Sequence, residues 1–373
     1  MYKGHKIIDG HIHYMLDLEP EALVKFMDET GMDCANLASI SHGARLSCTL
    51  DALTLKALYP GRFYVCGSLD PCEYYRGGDD MGARLASYAR RLISCGCDGI
   101  KLLEGKPQLR RALPVPDFDA KCWEAFWTFM EETQTPLLWH VNDPEEFWDR
   151  SKIPLWAAKL GWEYDDTYIN NEAQYAQVLS VLEHHPKLKV TFAHMFFLSA
   201  QLSRLSAILD RFANVMVDLT PGIEMYENLS LTPDETAAFF EKYHDRIIYG
   251  TDIGSRFVYN REDVPFNYRE NIRRGEIVRD FLFERGTVTV RADGNFVKNR
   301  PDFEMECLGL CDVRLDEILS GNFLRFMGGA PRDTARELIL QECAFMKEES
   351  RRAELHGIAA DTRGLELAVE YLR

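Results

Sequence analysis

The chain has 373 residues, 46% hydrophobic and 27% charged, which is typical of a globular protein that buries a large core. Lys and Arg number 43 and Asp and Glu number 59, so the net charge of −16 argues against nucleic acid as the main partner. No apolar run approaches the roughly 20 residues of a membrane span, so we expect no membrane partner. The N-terminus lacks a secretory signal, and the ten cysteines include no CxxC pair. We therefore expect a cytoplasmic protein with reduced thiols.

Short apolar segments alternate with amphipathic helices along the chain. The predicted strands are rich in Val, Ile and Leu without polar alternation, as expected when both faces of a parallel sheet are buried. They span 6–12, 33–40, 62–71, 97–105, 135–141, 188–195, 214–219 and 246–252. Helices are predicted at 19–31, 50–61, 82–96, 121–134, 171–186, 201–213, 233–244 and 315–328. Eight such units predict a (β/α)8 TIM barrel. The alternative, a doubly wound open sheet, would want a glycine-rich phosphate loop after the first strand, which this chain does not have.

Two segments interrupt this alternation. Residues 143–170 form a long connection with three tryptophans after strand five, and residues 254–305 follow strand eight and contain a predicted β-hairpin at 285–301. Long loops in a compact domain are usually functional or disordered, and the aromatic content argues against disorder. We predict a barrel domain at 1–330 and a C-terminal helical extension at 331–373 that packs on it.

Polar residues fall at the ends of the predicted strands, where catalytic groups of such barrels lie. In chain order they are His11 and His13, Lys101 and Glu104, His140, His194, Asp218, and Asp252. Residues i and i+2 of a strand share a face, so His11 and His13 should both project into the barrel mouth. Together with His140 and Asp252 they form a nitrogen and oxygen donor set that suits Zn²⁺, with Mn²⁺, Fe²⁺ or Co²⁺ as alternatives, in an open site that keeps a water.

Each of these residues also has a simpler structural explanation. His140 and His194 could be hydrogen-bonded core histidines, and Asp218 and Asp252 could cap the turns that follow them. The coincidence of four of the ten histidines at strand ends favours a metal site. Asp9 shares the face of the two N-terminal histidines but lies one step deeper, so we expect it to support the site without binding the ion.

Seven motifs carry a resemblance to the amidohydrolase superfamily over roughly residues 5–330. They are DGHIH (9–13), GIKLLEG (99–105), PLLWHVNDPEEFWD (136–149), KLKVTFAHM (187–195), NVMVDL (214–219), RIIYGTDIG (246–254) and GNFLRFMG (321–328). The chain is most similar to the branch that contains aminocarboxymuconate-semialdehyde decarboxylase and resorcylate decarboxylases. The resemblance implies that His11, His13, His140 and Asp252 bind one divalent metal ion. It also implies that Asp252 takes a proton from the metal-activated water and that His194 polarises the substrate or acts as acid and base.

The function predicted from these features is metal-dependent hydrolysis, in which a metal-activated water attacks the carbonyl of a lactone, amide or ester. The alternative is non-oxidative decarboxylation of an aromatic or unsaturated carboxylate by the same residues. A barrel that keeps the metal as a structural centre only is a third reading. Substrate-binding side chains are predicted in and around the mouth at His42, Arg45, Lys101, Trp148 and Arg256. The arginines favour a small-molecule carboxylate as the partner, and self-association to a homo-oligomer is left open.

Overall fold

The structure, a computed structural model, describes residues 1–41, 46–153, 155–159, 161–222, 224–254, 268–291, 302–357 and 360–373. Eight parallel strands follow one another around a single sheet in the order of the sequence. They are β1 (Ile8–Ile12), β2 (Cys34–Ala38), β3 (Phe63–Ser68), β4 (Gly99–Gly105), β5 (Leu137–Val141), β6 (Val190–Phe192), β7 (Val215–Asp218) and β8 (Ile247–Ile248). The predicted (β/α)8 barrel is confirmed, because a doubly wound sheet would reverse its strand order at a switch point.

The barrel closes where β1 meets the segment that follows β8. The backbone N–H of Gly10 donates to Tyr249 O at 2.8 Å, and that of Asp252 donates to His11 O at 2.9 Å. A Cβ atom on Gly10 would lie 2.5 Å from Cγ2 of Ile248, so the close approach of β1 to β8 requires glycine at this position. Closure therefore brings the first strand, with its histidines, against the segment that carries Asp252.

Helices surround the barrel, and most match the predicted ones within a few residues. The helices are α1 (Pro20–Thr30), α2 (Thr49–Leu58), α3 (Cys72–Arg76), α4 (Met81–Cys95), α5 (Pro107–Ala112), α6 (Glu124–Thr133), α7 (Leu155–Lys159), α8 (Asn171–His184), α9 (Leu202–Arg211), α10 (Met225–Leu231), α11 (Pro233–Tyr243), α12 (Tyr268–Phe283), α13 (Asp312–Asp316), α14 (Asn322–Met327), α15 (Arg336–Leu355) and α16 (Arg363–Leu372). A π-helical turn, Glu317–Gly321, joins α13 to α14, in the region of the predicted eighth helix.

The segment after β8 differs from its prediction in two ways. It contains the 16-residue helix α12, which the sequence analysis did not predict. The hairpin is present, but it pairs β9 (Arg285–Val290) with β10 (Phe303–Leu308), and the second strand lies beyond the predicted end at 301. Residues 292–301 lie outside the described part of the chain.

One end of the barrel interior is filled by apolar side chains. Ile8, Tyr64, Met216 and Ile248 pack there against Phe323 of α14. Ile8 begins β1, so this plug lies at the N-terminal end of the strands. The opposite end, at the carboxyl ends of the strands, is left to polar residues.

The C-terminal extension is helical and contacts the barrel. Arg332 N donates to Asp98 Oδ1 at 2.7 Å, and Arg91 of α4 forms an ion pair with Glu342 of α15 at 3.2 Å. The boundary at 330 between barrel and extension stays a prediction.

The ten cysteines all lie in the described residues, and none forms a disulfide bond. Over the same residues, no helix is both long enough and apolar enough to cross a bilayer.

Candidate metal centre

Three of the predicted ligands converge at the carboxyl ends of β1 and β8. One donor atom from each of His11, His13 and Asp252 lies within 4.8 Å of the other two. Asp252 Oδ1 is 3.0 Å from His13 Nε2 and 3.9 Å from His11 Nε2. All three residues are largely buried, with His11 1% and Asp252 8% exposed. Asp252 is 239 and 241 positions from His13 and His11 in the chain, and the barrel closure brings it next to them.

The two β1 histidines are held by their Nδ1 atoms. His11 Nδ1 lies 2.9 Å from Asp218 Oδ2, and His13 Nδ1 lies 2.7 Å from the backbone oxygen of Ala38. A carboxylate and a carbonyl oxygen can only accept, so each Nδ1 carries a proton and Nε2 is the ring nitrogen that faces the cluster. Burial, followed by the nearby Lys101 ammonium, lowers the pKa of His11 to about 4 and keeps this ring neutral. The Nε2 atom of His11 therefore has the lone pair that a metal ligand needs.

Asp218, at the end of β7, links His11 to His194. Its Oδ1 accepts from the backbone N–H of His194 at 2.8 Å and from the Thr220 hydroxyl at 2.5 Å, while its Oδ2 accepts from His11. Burial alone would raise the pKa of this carboxyl, but the hydrogen bond from His11 and the nearby histidines bring it down to about 2. An ionised Asp218 thus fixes the tautomer of one ring and the backbone of another.

His194 begins a run of four residues in the left-handed region. The φ angles from His194 through Phe197 are 56°, 49°, 60° and 53°. Each left-handed non-glycine residue costs roughly 1–2 kcal/mol, and such strain persists only where surrounding contacts impose it. Here the Phe196 ring stacks on Phe192 at 3.9 Å, and its carbonyl oxygen accepts from Tyr175. The turn places the His194 ring 5.8 Å from that of His11.

The tautomer of His194 follows from its contacts with Thr220. Its Nδ1 is 3.1 Å from Thr220 O and 3.0 Å from Thr220 Oγ1. The Thr220 hydroxyl donates its proton to Asp218, so both neighbours of Nδ1 act as acceptors and Nδ1 carries the proton. Burial lowers the pKa of His194 to about 3, so the ring is neutral with its lone pair on Nε2. In this state Nε2 accepts a proton and does not donate one.

His140, at the end of β5, lies beside His194 but outside the donor cluster. Its ring centroid is 5.1 Å from that of His194, and its Nε2 is 3.5 Å from Asp143 Oδ1. A Cβ atom on Gly105 would lie 2.1 Å from His140 O, so β4 and β5 approach closely at this point. Burial lowers the pKa of His140, which keeps this imidazole neutral as well. Its role as the fourth ligand stays a prediction.

Asp143 contacts several side chains at the start of the segment 143–170, here named the strap. Both of its oxygens accept from Lys106 Nζ at 2.7 Å, and Oδ2 also accepts from the Tyr164 hydroxyl at 2.5 Å. Burial would raise the pKa of Asp143, but Lys106 and His140 lower it to about 2. The strap is thereby fastened next to the β5 histidine.

The strap has a small apolar core of its own, which includes Phe147, Trp162 and Tyr164. Lys106 Nζ lies 4.0 Å above the Trp162 ring, a cation–π contact. Trp148, a predicted substrate-binding residue, packs on Tyr164 with ring centroids 4.7 Å apart and remains half-buried. These contacts hold together the described part of the strap, and substrate contact by Trp148 stays a prediction.

Lys101 projects from β4 into the site. It is 1% exposed, and its Nζ donates to His11 Nε2 at 3.2 Å. Burial lowers the pKa of Lys101 to about 8. Glu104, three residues on, accepts from the Tyr74 hydroxyl at 2.9 Å, and burial raises its pKa. Of these two, Lys101 is the one in contact with a metal-cluster residue.

The remaining predicted substrate-binding residues lie outside the described residues. They are His42, Arg45 and Arg256. Asp9 accepts from the backbone N–H groups of His11 and Thr251, both at 3.1 Å, and from the Thr251 hydroxyl at 2.5 Å. It contributes no atom to the donor cluster, in line with the expected support from below.

The structure adds site residues that the sequence analysis had not selected. Asp218 lies at a strand end, where the sequence predicts only a turn cap, and its carboxylate accepts a hydrogen bond from His11. Arg274 of α12 is 0% exposed, and its Nη1 lies 3.4 Å from Asp252 Oδ2. A strand-end position was a usable signal for Asp218, whereas Arg274 is one of three arginines within RENIRR and nothing in that pattern selects it.

The residues present fit a divalent cation. The cluster offers two imidazole nitrogens and a carboxylate whose pKa, although burial would raise it, is held below its usual range by His13 and His11. Such a nitrogen-rich set suits Zn²⁺ and also admits Mn²⁺.

Comparisons with known proteins agree with this architecture. A sequence model of the protein family described as Amidohydrolase matches residues 78–284 of the chain. Similar solved structures include an amidohydrolase II (14% identity, TM-score 0.53, 86% of this chain and 99% of that one). A second is 2,6-dihydroxybenzoate decarboxylase from Rhizobium (13% identity, TM-score 0.51, 87% of this chain and 98% of that one). A third is a probable 2-pyrone-4,6-dicarboxylic acid hydrolase from Acinetobacter baumannii with citric acid bound (12% identity, TM-score 0.50, 86% of this chain and 99% of that one). No curated protein sequence matches the chain significantly.

Proposed function

The chain belongs to the amidohydrolase family, and from this premise we propose that it is a metal-dependent hydrolase that cleaves a lactone, amide or ester bond in a small molecule. The convergence of donor atoms from His11, His13 and Asp252 within 4.8 Å carries the proposal. The match of the family model confirms the resemblance to amidohydrolases at the level of the family. The reaction is proposed from the site.

The proposed metal ligands are His11, His13, His140 and Asp252. A divalent ion held by them, Zn²⁺ in first place and Mn²⁺ as the alternative, supplies a Lewis acid and a water of lowered pKa. The tautomers support this set, because Asp218 and Ala38 O occupy the Nδ1 atoms of the β1 histidines and leave Nε2 for the ion.

His194 is the proposed proton acceptor. Both neighbours of its Nδ1 accept hydrogen bonds, so its Nε2 keeps a lone pair. This atom takes the proton of the attacking water and returns it to the leaving oxygen or nitrogen as the bond between that atom and the carbonyl carbon breaks. Asp252 is the second acceptor, although its Oδ1 faces His13 and its Oδ2 faces Arg274.

Lys101 is the proposed contact for an anionic part of the substrate. A fully buried cation in a cleft attracts anions far more strongly than an exposed one. Lys101 Nζ is adjacent to His11, so a carboxylate bound there would lie next to the reacting bond. His42, Arg45, Trp148 and Arg256 remain proposed substrate contacts from the sequence.

This buried lysine also favours a second candidate, non-oxidative decarboxylation of an aromatic or unsaturated carboxylate. There the bond between carbon and the carboxylate breaks, CO₂ leaves, and His194 or Asp252 passes to the carbon a proton that it has first taken up from water. Among proteins of this fold, the similar structures above include both a decarboxylase and a probable hydrolase, so the fold does not decide between the two reactions.

One panel assay separates the candidates. Purified protein supplied with Zn²⁺ or Mn²⁺ is given lactones, amides and esters that carry a carboxylate, and in parallel a set of hydroxybenzoates with detection of CO₂. The proposal expects hydrolysis that disappears in Asp252→Asn. Release of CO₂ without hydrolysis would replace it by the second candidate, and turnover that survives in Asp252→Asn would contradict both.

A further inference from the structure

Helix α12 turns three buried polar side chains toward the segment that carries the metal-binding carboxylate. Glu270 and Asn271 are each 1% exposed, and Arg274 is 0% exposed. Charged side chains are rarely buried this completely unless they are paired. The partners of these three residues indicate what they do.

Arg274 bridges Asp252 and Glu270. Its Nη1 lies 3.4 Å from Asp252 Oδ2 and 3.5 Å from the backbone oxygen of the same residue. Its Nε donates to Glu270 Oε1 at 3.2 Å, one helical turn away on α12. The two carboxylate oxygens of Asp252 therefore face different partners, with Oδ1 toward His13 and Oδ2 toward the guanidinium.

Asn271 holds the next part of the same segment. Its Oδ1 accepts from the backbone N–H of Gly254 at 3.2 Å, and its Nδ2 donates to Gly254 O at 3.1 Å. Gly254 forms a parallel bridge with His13, whose N–H donates to Ile253 O at 2.8 Å. The helix thus braces the strand-like pairing that carries a second predicted ligand.

The segment needs such a brace. Asp252 lies four residues beyond the last residue of β8, outside the regular sheet. Its φ angle is 55°, a left-handed conformation that costs a non-glycine residue about 1 kcal/mol or more. Contacts from outside the strand must hold this backbone, and those from Arg274 and Asn271 are two that do so.

We propose that Arg274 and Asn271 are positioning residues for the metal-binding carboxylate, an inference that rests on the proposed metal site. Glu270 balances the charge of Arg274, so the guanidinium orients Asp252 without adding an unpaired cation next to the ion. The residues that touch a ligand from behind are typically worth about 10- to 100-fold in metal affinity. A helix that merely packs on the barrel would leave that affinity unchanged.

The test is the Zn²⁺ affinity of the metal-free full-length protein, measured by competition with a fluorescent chelator, with Mn²⁺ titrated calorimetrically in parallel. The main variant, Glu270→Gln with Arg274→Gln, removes both charges and keeps the net charge, which separates orientation from electrostatics. We expect its dissociation constant to rise about 10- to 100-fold. Asn271→Ala, which changes no charge, is expected to weaken binding in the same direction.

The matched control is Arg279→Gln on the same helix. Arg279 donates to Thr30 O at 3.2 Å and lies over the Tyr2 ring, away from Asp252. The Zn²⁺ affinity of this variant should stay within twofold of that of the unmodified protein. Melting temperatures of all variants without metal show whether the fold is kept. If the double variant does not fold, Arg274→Lys, which keeps the charge but loses the planar fork, takes its place.

The outcomes separate the two proposals. An unmodified protein that binds no divalent ion would overturn the proposed function and this inference with it. Tight binding by the unmodified protein, together with equal affinity in the α12 variants, would overturn the inference alone. If Arg279→Gln weakened metal binding as much as the changes at Glu270, Asn271 and Arg274, the effect would be one of helix stability, and the inference would be overturned.

Discussion

Two walls of the candidate site are built differently. The first wall consists of His11, His13 and Asp252 with Asp218 behind them, and its donor atoms converge within 4.8 Å. The second wall consists of His140 with Asp143 behind it, and His140 lies outside that cluster. Hydrogen bonds from strands and helices fix the first wall, whereas Asp143 ties the second to the strap through Lys106 and Tyr164.

This difference assigns the two walls different work. The supporting groups of the first wall belong to the barrel strands and to α12, namely Asp218 and the Ala38 carbonyl on the strands and Arg274 on the helix. The second wall couples a predicted ligand to a segment with its own apolar core, so a change in the strap is felt at His140. Metal affinity should therefore depend mainly on the first wall, and order in the strap mainly on the second.

The largest effect is expected from the first wall itself. Asp252→Asn removes the negative charge of the carboxylate and His13→Ala removes an imidazole nitrogen, so metal content should fall to background and turnover by roughly 10³-fold, the scale for a group that acts on the transition state. Metal analysis of the purified variants, with His184→Ala at an exposed position as control, checks this. Full metal content in both variants would show that the cluster is not the binding site.

Asp218→Asn should have the next largest effect. An amide nitrogen facing His11 Nδ1 would oppose one donor to another and favour the wrong tautomer, which protonates Nε2. We expect metal affinity to weaken about 10- to 100-fold with the fold intact. A chelator competition series against the unmodified protein measures this, and unchanged affinity would mean that the tautomer of His11 is not set by Asp218.

Asp143→Asn sharpens the contrast from the other wall. It weakens the ion pair with Lys106 and the contact with His140, so the strap should loosen while metal affinity falls less than in Asp218→Asn. Hydrogen exchange of peptides from 143–170 should speed up relative to peptides from β1. A loss of affinity as large as that of Asp218→Asn would place His140 on the same footing as the β1 histidines.

The smallest effect is expected from Tyr164→Phe. It removes one hydrogen bond to Asp143 and leaves the ring packing with Trp148 in place. We expect unfolding free energy to fall by about 1 kcal/mol, or somewhat more because the acceptor is charged, without change in metal affinity. Denaturant unfolding measures the first quantity, and a tenfold change in affinity would contradict the separation of the two walls.

The sequence was sufficient for the barrel and for the convergence of the first wall. Short apolar strands at regular spacing predict parallel pairing, and the strand-end rule then brings His11, His13 and Asp252 together although they are far apart in the chain. Strand alternation places Asp9 on the face of the two β1 histidines, and its supporting role stays a prediction. Each of these inferences used a local pattern whose geometric consequence is fixed.

What the sequence could not show depends on contacts that no local pattern encodes. Arg274 in RENIRR looks like any helix-surface arginine, and only the return of α12 onto the segment after β8 buries it. The tautomer of His194 depends on Thr220, 26 residues away, and on a left-handed turn that propensities disfavour. Cytoplasmic location, self-association and the division at residue 330 remain predictions from the sequence.

The most direct measurement is a titration of the metal-free protein with Zn²⁺ and Mn²⁺, followed by calorimetry and metal analysis after dialysis. We predict one tightly bound ion per chain in the unmodified protein and none in His11→Ala or Asp252→Asn. Absence of a bound ion in the unmodified protein, or the same bound ion in both variants, would contradict a metal centre built on β1 and the segment after β8.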